Sequence, residues 1–377
     1  MDKKLLDQFD RAWREPGKTI TELKKKTGKK AVGLTLVDVP EELVHAAGAL
    51  PVGVLPGELA FQHVDKHVQG FACSYCRSVV EMIESGELGF LDGLIVSYAC
   101  DTTRCIDLIL RFMDKFPFYE CLRIPRRVNA DGVKDYFLAE LKRVGDKLSA
   151  FTGREITGDG LAESVRLYNE VRSHLKKLRE AMPSGGVGLS EMLSSVRAAL
   201  ILPPEESLSL LREAAGSVKA GAGNGGKPRV VVAGKMAEPP GLASLLDQSG
   251  LFVVEDHLAV GGRWVAAAVP ENKDPWQALV SRQLGRLPFA GIWDERPRRS
   301  SFLIERVQAL GADGAVFLVQ KFCEAAELDY PGIKEDLEKQ GIPMLVIDTD
   351  FREASLGPVK TRVEAFAEML KERMGSQ

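Results

Sequence analysis

The chain has 377 residues, 45% hydrophobic and 27% charged, with 50 basic against 53 acidic side chains and six cysteines. That length supports two or three domains, each with its own core, and the hydrophobic fraction excludes a disordered chain. A net charge of −3 provides no basic footprint for nucleic acid and no polybasic membrane patch. The opening Met1-Asp2-Lys3-Lys4 has no signal-peptide character, and no apolar run approaches the roughly 18 residues of a membrane span. The expectation is a cytoplasmic protein, in which six thiols are poor disulfide candidates.

The first 30 residues read as helix, with Leu5, Leu6, Phe9 and Trp13 on one face. The apolar run Ala31 to Val37 predicts a strand. Pro40-Glu41-Glu42 opens a helix through Ala47 with Gly48 as its stop, and Pro51 to Leu55 predicts the next strand. Helices from Ser74 to about Ser85 and from Asp101 to about Lys115 alternate with strands at Gly93–Ser97 and Glu120–Ile124. Near-continuous apolar strands between amphipathic helices imply a parallel sheet covered on both faces, and residues 31–133 are assigned to a first α/β domain.

Residues 134–215 carry charged helical periodicity without strand character and form a helical region, followed by a glycine-rich linker at 216–228. A second α/β domain, 229–377, starts with Arg229–Gly234 and continues through strands at Phe252–Glu255, Gly314–Val319 and Pro343–Ile347 to a closing helix at Thr361–Arg373. The expected architecture is two doubly wound parallel sheets of the Rossmann or flavodoxin type, with a helical insert and an N-terminal helix.

Gly221, Gly223, Gly226 and Lys227 imitate a nucleotide-binding loop, but phosphate loops follow a strand and open a helix, whereas these glycines precede a strand. Pro228 also stands where a Mg²⁺-binding Ser or Thr belongs. His63 and His67, spaced i, i+4 without a metalloprotease glutamate, read as a solvated face.

The cysteines divide by position. Cys100 follows the strand Gly93–Ser97 and precedes a helix, and Cys323 follows the strand Gly314–Val319, so both lie at the carboxyl ends of parallel strands, where open α/β sheets bind ligands. Cys73 immediately precedes a helix, whose N-terminal dipole favours a thiolate. Cys73 and Cys76 compete for a third position, while Cys105 and Cys121 read as small core residues. Three thiolates in one cleft fall short of the four-sulfur shell of an electron-transfer [4Fe-4S] cluster and would leave one iron open.

At these residues the chain resembles the family of 2-hydroxyacyl-CoA dehydratase and ATP-dependent benzoyl-CoA reductase cluster subunits. The resemblance runs from about residue 20 to about residue 370. It rests on Val39-Pro40-Glu41-Glu42-Leu43 through Pro51, on Phe71-Ala72-Cys73-Ser74-Tyr75-Cys76-Arg77-Ser78, on Leu91-Asp92-Gly93 through Cys100-Asp101-Thr102-Thr103-Arg104, and on Gln320-Lys321-Phe322-Cys323-Glu324. It implies a [4Fe-4S] cluster held by Cys73, Cys100 and Cys323, with Cys76 as an alternative or supporting thiol where the family usually has another residue. A double cubane would need further cysteines, and Arg282 to Phe289 offers none.

The same resemblance implies a heterodimer with a homologous second cluster subunit, reduced by a separate homodimeric [4Fe-4S] ATPase activator. The implied reaction is a lyase reaction on an acyl-CoA, loss of water from a 2-hydroxyacyl thioester through a ketyl radical. Reduction of benzoyl-CoA is the alternative on the same scaffold, and a non-catalytic electron-relay subunit is the other. No general acid or base stands out; Thr35, Glu41, Arg77 and Arg104 are nearby polar candidates, each expected to be a capping or surface group.

Overall fold

The protein is described by a computed structural model covering residues 1–36, 38–57, 59–219, 221–286, 296–351 and 356–375. Val37 at the end of the first expected strand, Ala220 in the expected linker, and Leu287 to Phe289 lie outside these described residues.

Two helices, α1 (Lys3–Arg14) and α2 (Pro16–Thr27), replace the single helix expected over the first 30 residues. Asp2 caps α1 by accepting from the Lys4 N–H at 2.7 Å. Pro16 cannot donate into α1 and instead starts α2, a position its fixed φ favours. The first sheet region follows as β1 (Ala31–Thr35), α3 (Glu41–Ala46), β2 (Leu50–Val54), α4 (Ser74–Glu84), β3 (Gly93–Tyr98), α5 (Asp101–Met113) and β4 (Phe118–Arg123). Helices α6 (Val133–Thr152), α7 (Gly158–Glu180), α8 (Leu189–Ile201) and α9 (Pro204–Ser217) occupy the stretch read as strand-free.

The second region contains β5 (Arg229–Gly234), α10 (Gly241–Gln248), β6 (Phe252–His257), α11 (Gly262–Ala266), α12 (Pro275–Leu284) and α13 (Arg296–Ala309). It ends with β7 (Gly314–Gln320), α14 (Glu324–Lys339), β8 (Met344–Thr349) and α15 (Gly357–Gly375). Each region holds a four-stranded, wholly parallel sheet, and the orders are the same: β2-β1-β3-β4 and β6-β5-β7-β8. Every residue of β1 and of β7 is buried, as a strand covered on both faces requires. In this order the connections leave in opposite directions from β1 and β3, and from β5 and β7, opening a crevice at the carboxyl ends of each pair.

Helix α8 of the helical region packs between the two sheets. Almost every residue of α8 is buried, and the helix touches α1 and β2 on one side and α10 and β6 on the other. A helix buried on nearly every face needs such surroundings, and its buried Arg197 is paired with Glu238 at 2.6 Å. The glycine run is also tied down: the Gly223 N–H donates to the Ser184 carbonyl at 3.1 Å, and a Cβ at Gly221 would lie 2.2 Å from the Gly185 carbonyl carbon. Glycine is needed there for close backbone approach, not for phosphate. Among the described residues no helix is long and apolar enough to cross a membrane.

Polar contacts join the parts where apolar packing alone would leave their orientation loose. Glu42 at the start of α3 forms a fully buried ion pair with Arg172 of α7, and Glu41 accepts from the Trp264 indole N–H of α11 at 2.8 Å. The charge of Arg172, with Arg282, holds the Glu42 carboxyl below its ordinary value against its burial, whereas burial and the neighbouring Glu42 push Glu41 upward. The ion pair with Arg172 thus favours the charged form of Glu42. Substituting Arg172→Met should strand that charge and cost about 3–5 kcal/mol, read as a lower denaturant midpoint in equilibrium unfolding.

Candidate metal centre

Cys73, Cys100 and Cys323 are the N-terminal flanking residues of α4, α5 and α14. They come from different parts of the chain and line one cleft of about 330 Å³ together with Asp101, Thr102, Arg126, Lys235, Arg299, Glu324 and Asp329. Local geometry fixes each. Cys100 and Thr103 cap α5 reciprocally: the Thr103 N–H reaches the Cys100 Sγ at 3.4 Å, and the Cys100 N–H donates to the Thr103 Oγ1 at 2.8 Å. Cys323 follows Phe322, whose φ of 61° lies in the left-handed region that non-glycine residues avoid. Such strain persists where the surroundings impose it, often at functional sites.

Cys73 is carried by a loop that several contacts clamp. Arg77, one turn into α4, pairs with Asp65 at 2.6 Å and donates to the Gln69 carbonyl at 2.9 Å. The Tyr75 hydroxyl donates to the Val54 carbonyl and accepts from the Leu36 N–H, fastening α4 to the ends of β1 and β2. The Ser74 N–H donates across to the Lys321 carbonyl beyond β7, which brings the start of α4 to the second sheet.

Cys73, Cys76 and Cys323 act on one another electrostatically, and Cys76 is buried and outside the cleft lining. The interaction with Cys323 pulls the Cys73 thiol down, but the one with Cys76 and burial outweigh it and push it up to about 12. The interaction with Cys73 and burial push Cys323 up as well, against the attraction of Lys235. Three helix N-termini favour negative charge here, while crowding and burial oppose thiolates. A cation that takes the place of the protons resolves this conflict.

Among the described residues, no three His, Cys, Asp or Glu side chains are grouped to hold a single metal ion. A mononuclear site needs its donors within about 2.0–2.3 Å of one point. A polynuclear iron-sulfur cluster takes each thiolate at a different iron and fits sulfurs distributed around a cleft. The donor chemistry, the burial of Cys73 and Cys323 and the shared cleft lined by the three cysteines fit that group.

Several residues are placed differently from their expected roles. Cys105 is exposed rather than part of the core, because α5 buries Thr103, Ile106 and Leu110 and turns Cys105 outward beside Leu108 and Phe112. Cys121 is buried, as expected. Thr35, Glu41 and Arg77 are buried and bonded, not surface groups; Thr35 accepts from the Ser97 N–H at 2.9 Å and ties β1 to β3 at the crevice. Arg104 is exposed beside Asp101. His63 and His67 face carboxylates of α4, Glu81 at 2.8 Å and Glu84 at 3.4 Å, instead of only solvent.

Sequence reasoning passes over Lys235, Arg126, Arg299 and Asp329. Lys235 obeys the same positional rule as the cysteines, since it follows β5 at the second crevice. A smaller cavity of about 60 Å³ adjoins the cleft, sharing Lys235, Arg299 and Asp329 and adding His257, Phe302 and Phe317. His257 bonds Glu255 at 2.7 Å, and Glu255 also pairs with Arg306 and Arg179.

The chain matches the family model described as 2-hydroxyglutaryl-CoA dehydratase, D-component, over residues 36–370. It belongs to that family. Within the family it is 31% identical over 378 residues to the beta subunit of the (R)-2-hydroxyglutaryl-CoA dehydratase of Acidaminococcus fermentans, covering 97% of this chain and 99% of the relative. It is 26% identical over 374 residues to the (R)-phenyllactyl-CoA dehydratase beta subunit of Clostridium sporogenes, with 97% and 99% covered. It is also 28% identical over 353 residues to a benzoyl-CoA reductase subunit of Thauera aromatica, with 91% of each chain covered. These family members are thus subunits of multi-subunit enzymes, both dehydratases and a reductase.

The acidic network beside the site makes stability pH-dependent. Burial opposes ionisation of Glu255, but the hydrogen bonds from His257 and Arg306 and the charge of Arg179 hold its carboxyl down at about 2, against 4.5 for an ordinary glutamate. Its contribution is therefore complete above pH 4.5 and lost as pH falls toward 2. Glu255→Gln should lower stability at neutral pH and flatten its decline between those limits, as measured by denaturant midpoints across the range.

Proposed function

We propose that this chain is a [4Fe-4S]-carrying subunit of a 2-hydroxyacyl-CoA dehydratase, with Cys73, Cys100 and Cys323 as the protein ligands. The observation that carries the proposal is the meeting of these three cysteines, each at a helix start, in one cleft. The dehydratase relatives are beta subunits matched over nearly their full length. When bound, the cluster supplies single-electron transfer and one iron without a protein ligand.

The chain's own residues have distinct tasks. Helix N-termini and Lys235 offset the negative charge of the thiolates, and Arg77 with Tyr75 holds the Cys73 segment against the second sheet. Arg299 pairs with Asp329 at 2.8 Å and Arg126 stands 3.7 Å from Asp101, so the cleft wall is braced by paired charges. Burial of Cys73 and Cys323 limits access of water to the sulfurs. Cys76 acts behind Cys73 as a supporting thiol.

On this reading the subunit works beside a homologous second cluster subunit, on an acyl-CoA that loses water through a ketyl radical. A separate homodimeric [4Fe-4S] ATPase activator drives the one-electron reduction. The glycine run, which precedes β5 and packs against Gly185, supports assigning ATP hydrolysis elsewhere. Six free cysteines accord with a reducing cytoplasm. The match to a benzoyl-CoA reductase subunit favours ring reduction as a second reading.

Anaerobic iron and sulfide analysis should give about four of each per chain, falling in Cys100→Ala and Cys323→Ala; full retention in either variant would overturn the ligand assignment. Turnover of a 2-hydroxyacyl-CoA by the assembled enzyme should need only catalytic reductant. Consumption of reductant in step with an aromatic acyl-CoA would favour ring reduction instead.

A further inference from the structure

We infer that His257 is a proton-binding site coupled to the cleft: when the cleft takes up an electron, the His257 imidazole takes up a proton. The inference rests on the cluster reading above. His257 ends β6, beside Ala233 of β5, and so stands at the carboxyl end of the second sheet. It is 5% exposed.

The bonding pattern determines which ring nitrogen is available. Glu255 accepts from the Arg306 Nε at 2.9 Å and Nη2 at 3.0 Å, and stands 2.9 Å from the Arg179 Nη2. Among these cations it is an ionised carboxylate, which accepts hydrogen bonds and has no proton to donate. The 2.7 Å contact with His257 therefore places the hydrogen on Nε2, which donates to Glu255. In the neutral ring Nδ1 is then a bare lone pair. It is buried and has no hydrogen-bond partner among the described residues. The Phe302 ring meets the imidazole edge-on at 4.8 Å and restrains its plane.

His257 lines the cavity of about 60 Å³ that shares Lys235, Arg299 and Asp329 with the cleft. One water needs roughly 10–15 Å³ of such space and two to four polar partners. Nδ1 and the three shared side chains are partners of that kind, so water in the cavity is the route by which a proton passes between His257 and the cleft.

The surrounding charges decide when the proton binds. Glu255 and Asp256 on β6 favour it. Arg179 on α7, Arg306 and Arg299 on α13, Arg263 on α11 and Lys235 beyond β5 oppose it, while Asp329 on α14 pairs with Arg299 at 2.8 Å. Burial is the largest effect and lowers the ring below its ordinary 6.5, leaving it neutral at neutral pH. An electron added to the cleft places one negative charge nearby in a poorly solvated site and favours the imidazolium. One electron from the reductant and one proton from solvent then enter together, and the total charge is unchanged. With the three thiols bound to iron, His257 is the one side chain lining either space whose ordinary pKa lies near neutrality; the others are apolar, hydroxyl, carboxylate, lysine or arginine.

The test is an EPR-monitored redox titration of the full-length, anaerobic, iron-loaded protein between about pH 6 and pH 8. Wild type is compared with His257→Gln, whose amide keeps a donor for Glu255 but binds no proton. The wild-type midpoint should become more negative as pH rises, toward a limit of about 59 mV per pH unit, the equivalent of a tenfold change for a one-electron couple. In H257Q, at unchanged iron and sulfide content, that slope should vanish. A wild-type midpoint independent of pH would overturn the inference, as would an equal slope in the iron-replete variant. Loss of iron in H257Q would assign His257 a structural role and overturn it as well. A wild-type protein that binds no iron at all would instead overturn the cluster reading itself, and this inference with it.

Discussion

The six-residue helix α3 holds this molecule together through two buried carboxylates. Glu42 reaches Arg172 in the helical region, and Glu41 reaches Trp264 beyond the second sheet, so one short segment after β1 fixes three parts of the chain relative to one another. Apolar surfaces slide and repack at small cost, whereas a buried ion pair tolerates little displacement before it strands a charge. The placement of the cleft depends on this restraint, because Cys73 and Cys100 belong to one sheet region and Cys323 and Lys235 to the other.

With the two regions held, equal strand orders do the remaining positioning. Each sheet opens its crevice at the carboxyl ends of its two central strands, and the crevices contribute to the same cleft. Three helices begin there. Their N-terminal dipoles favour anions, but burial and their effect on one another hold Cys73 and Cys323 toward the neutral thiol. A cation that replaces those two protons relieves the conflict.

The alternation of apolar strands with amphipathic helices makes both parallel sheets readable from the sequence, and strand-end position singles out Cys100 and Cys323. Other features have no local mark. Glu41 and Glu42 look like an exposed acidic first turn, because the groups that bury them, Trp264 and Arg172, lie 223 and 130 residues away in the chain. Cys105 reads as core when only its position along α5 is considered and not its face; the apolar phase set by Ile106 and Leu110 turns it outward. Lys235 escapes notice because a lysine after a strand has no special composition. Only the meeting of two crevices gives its charge a target. The break at Pro16, by contrast, follows from proline's missing donor and is available from the sequence alone.

The placement of Cys73 and Cys323 in one cleft has a consequence for handling in air. These two thiols belong to different sheet regions and line the same cleft. If an oxidant accepts two electrons from the metal-free thiols, each sulfur releases its proton and the two join as a disulfide across the cleft. The two regions would then be stapled together and two of the three proposed iron ligands consumed. Reconstitution would then have to begin with a reductant, before any iron is supplied.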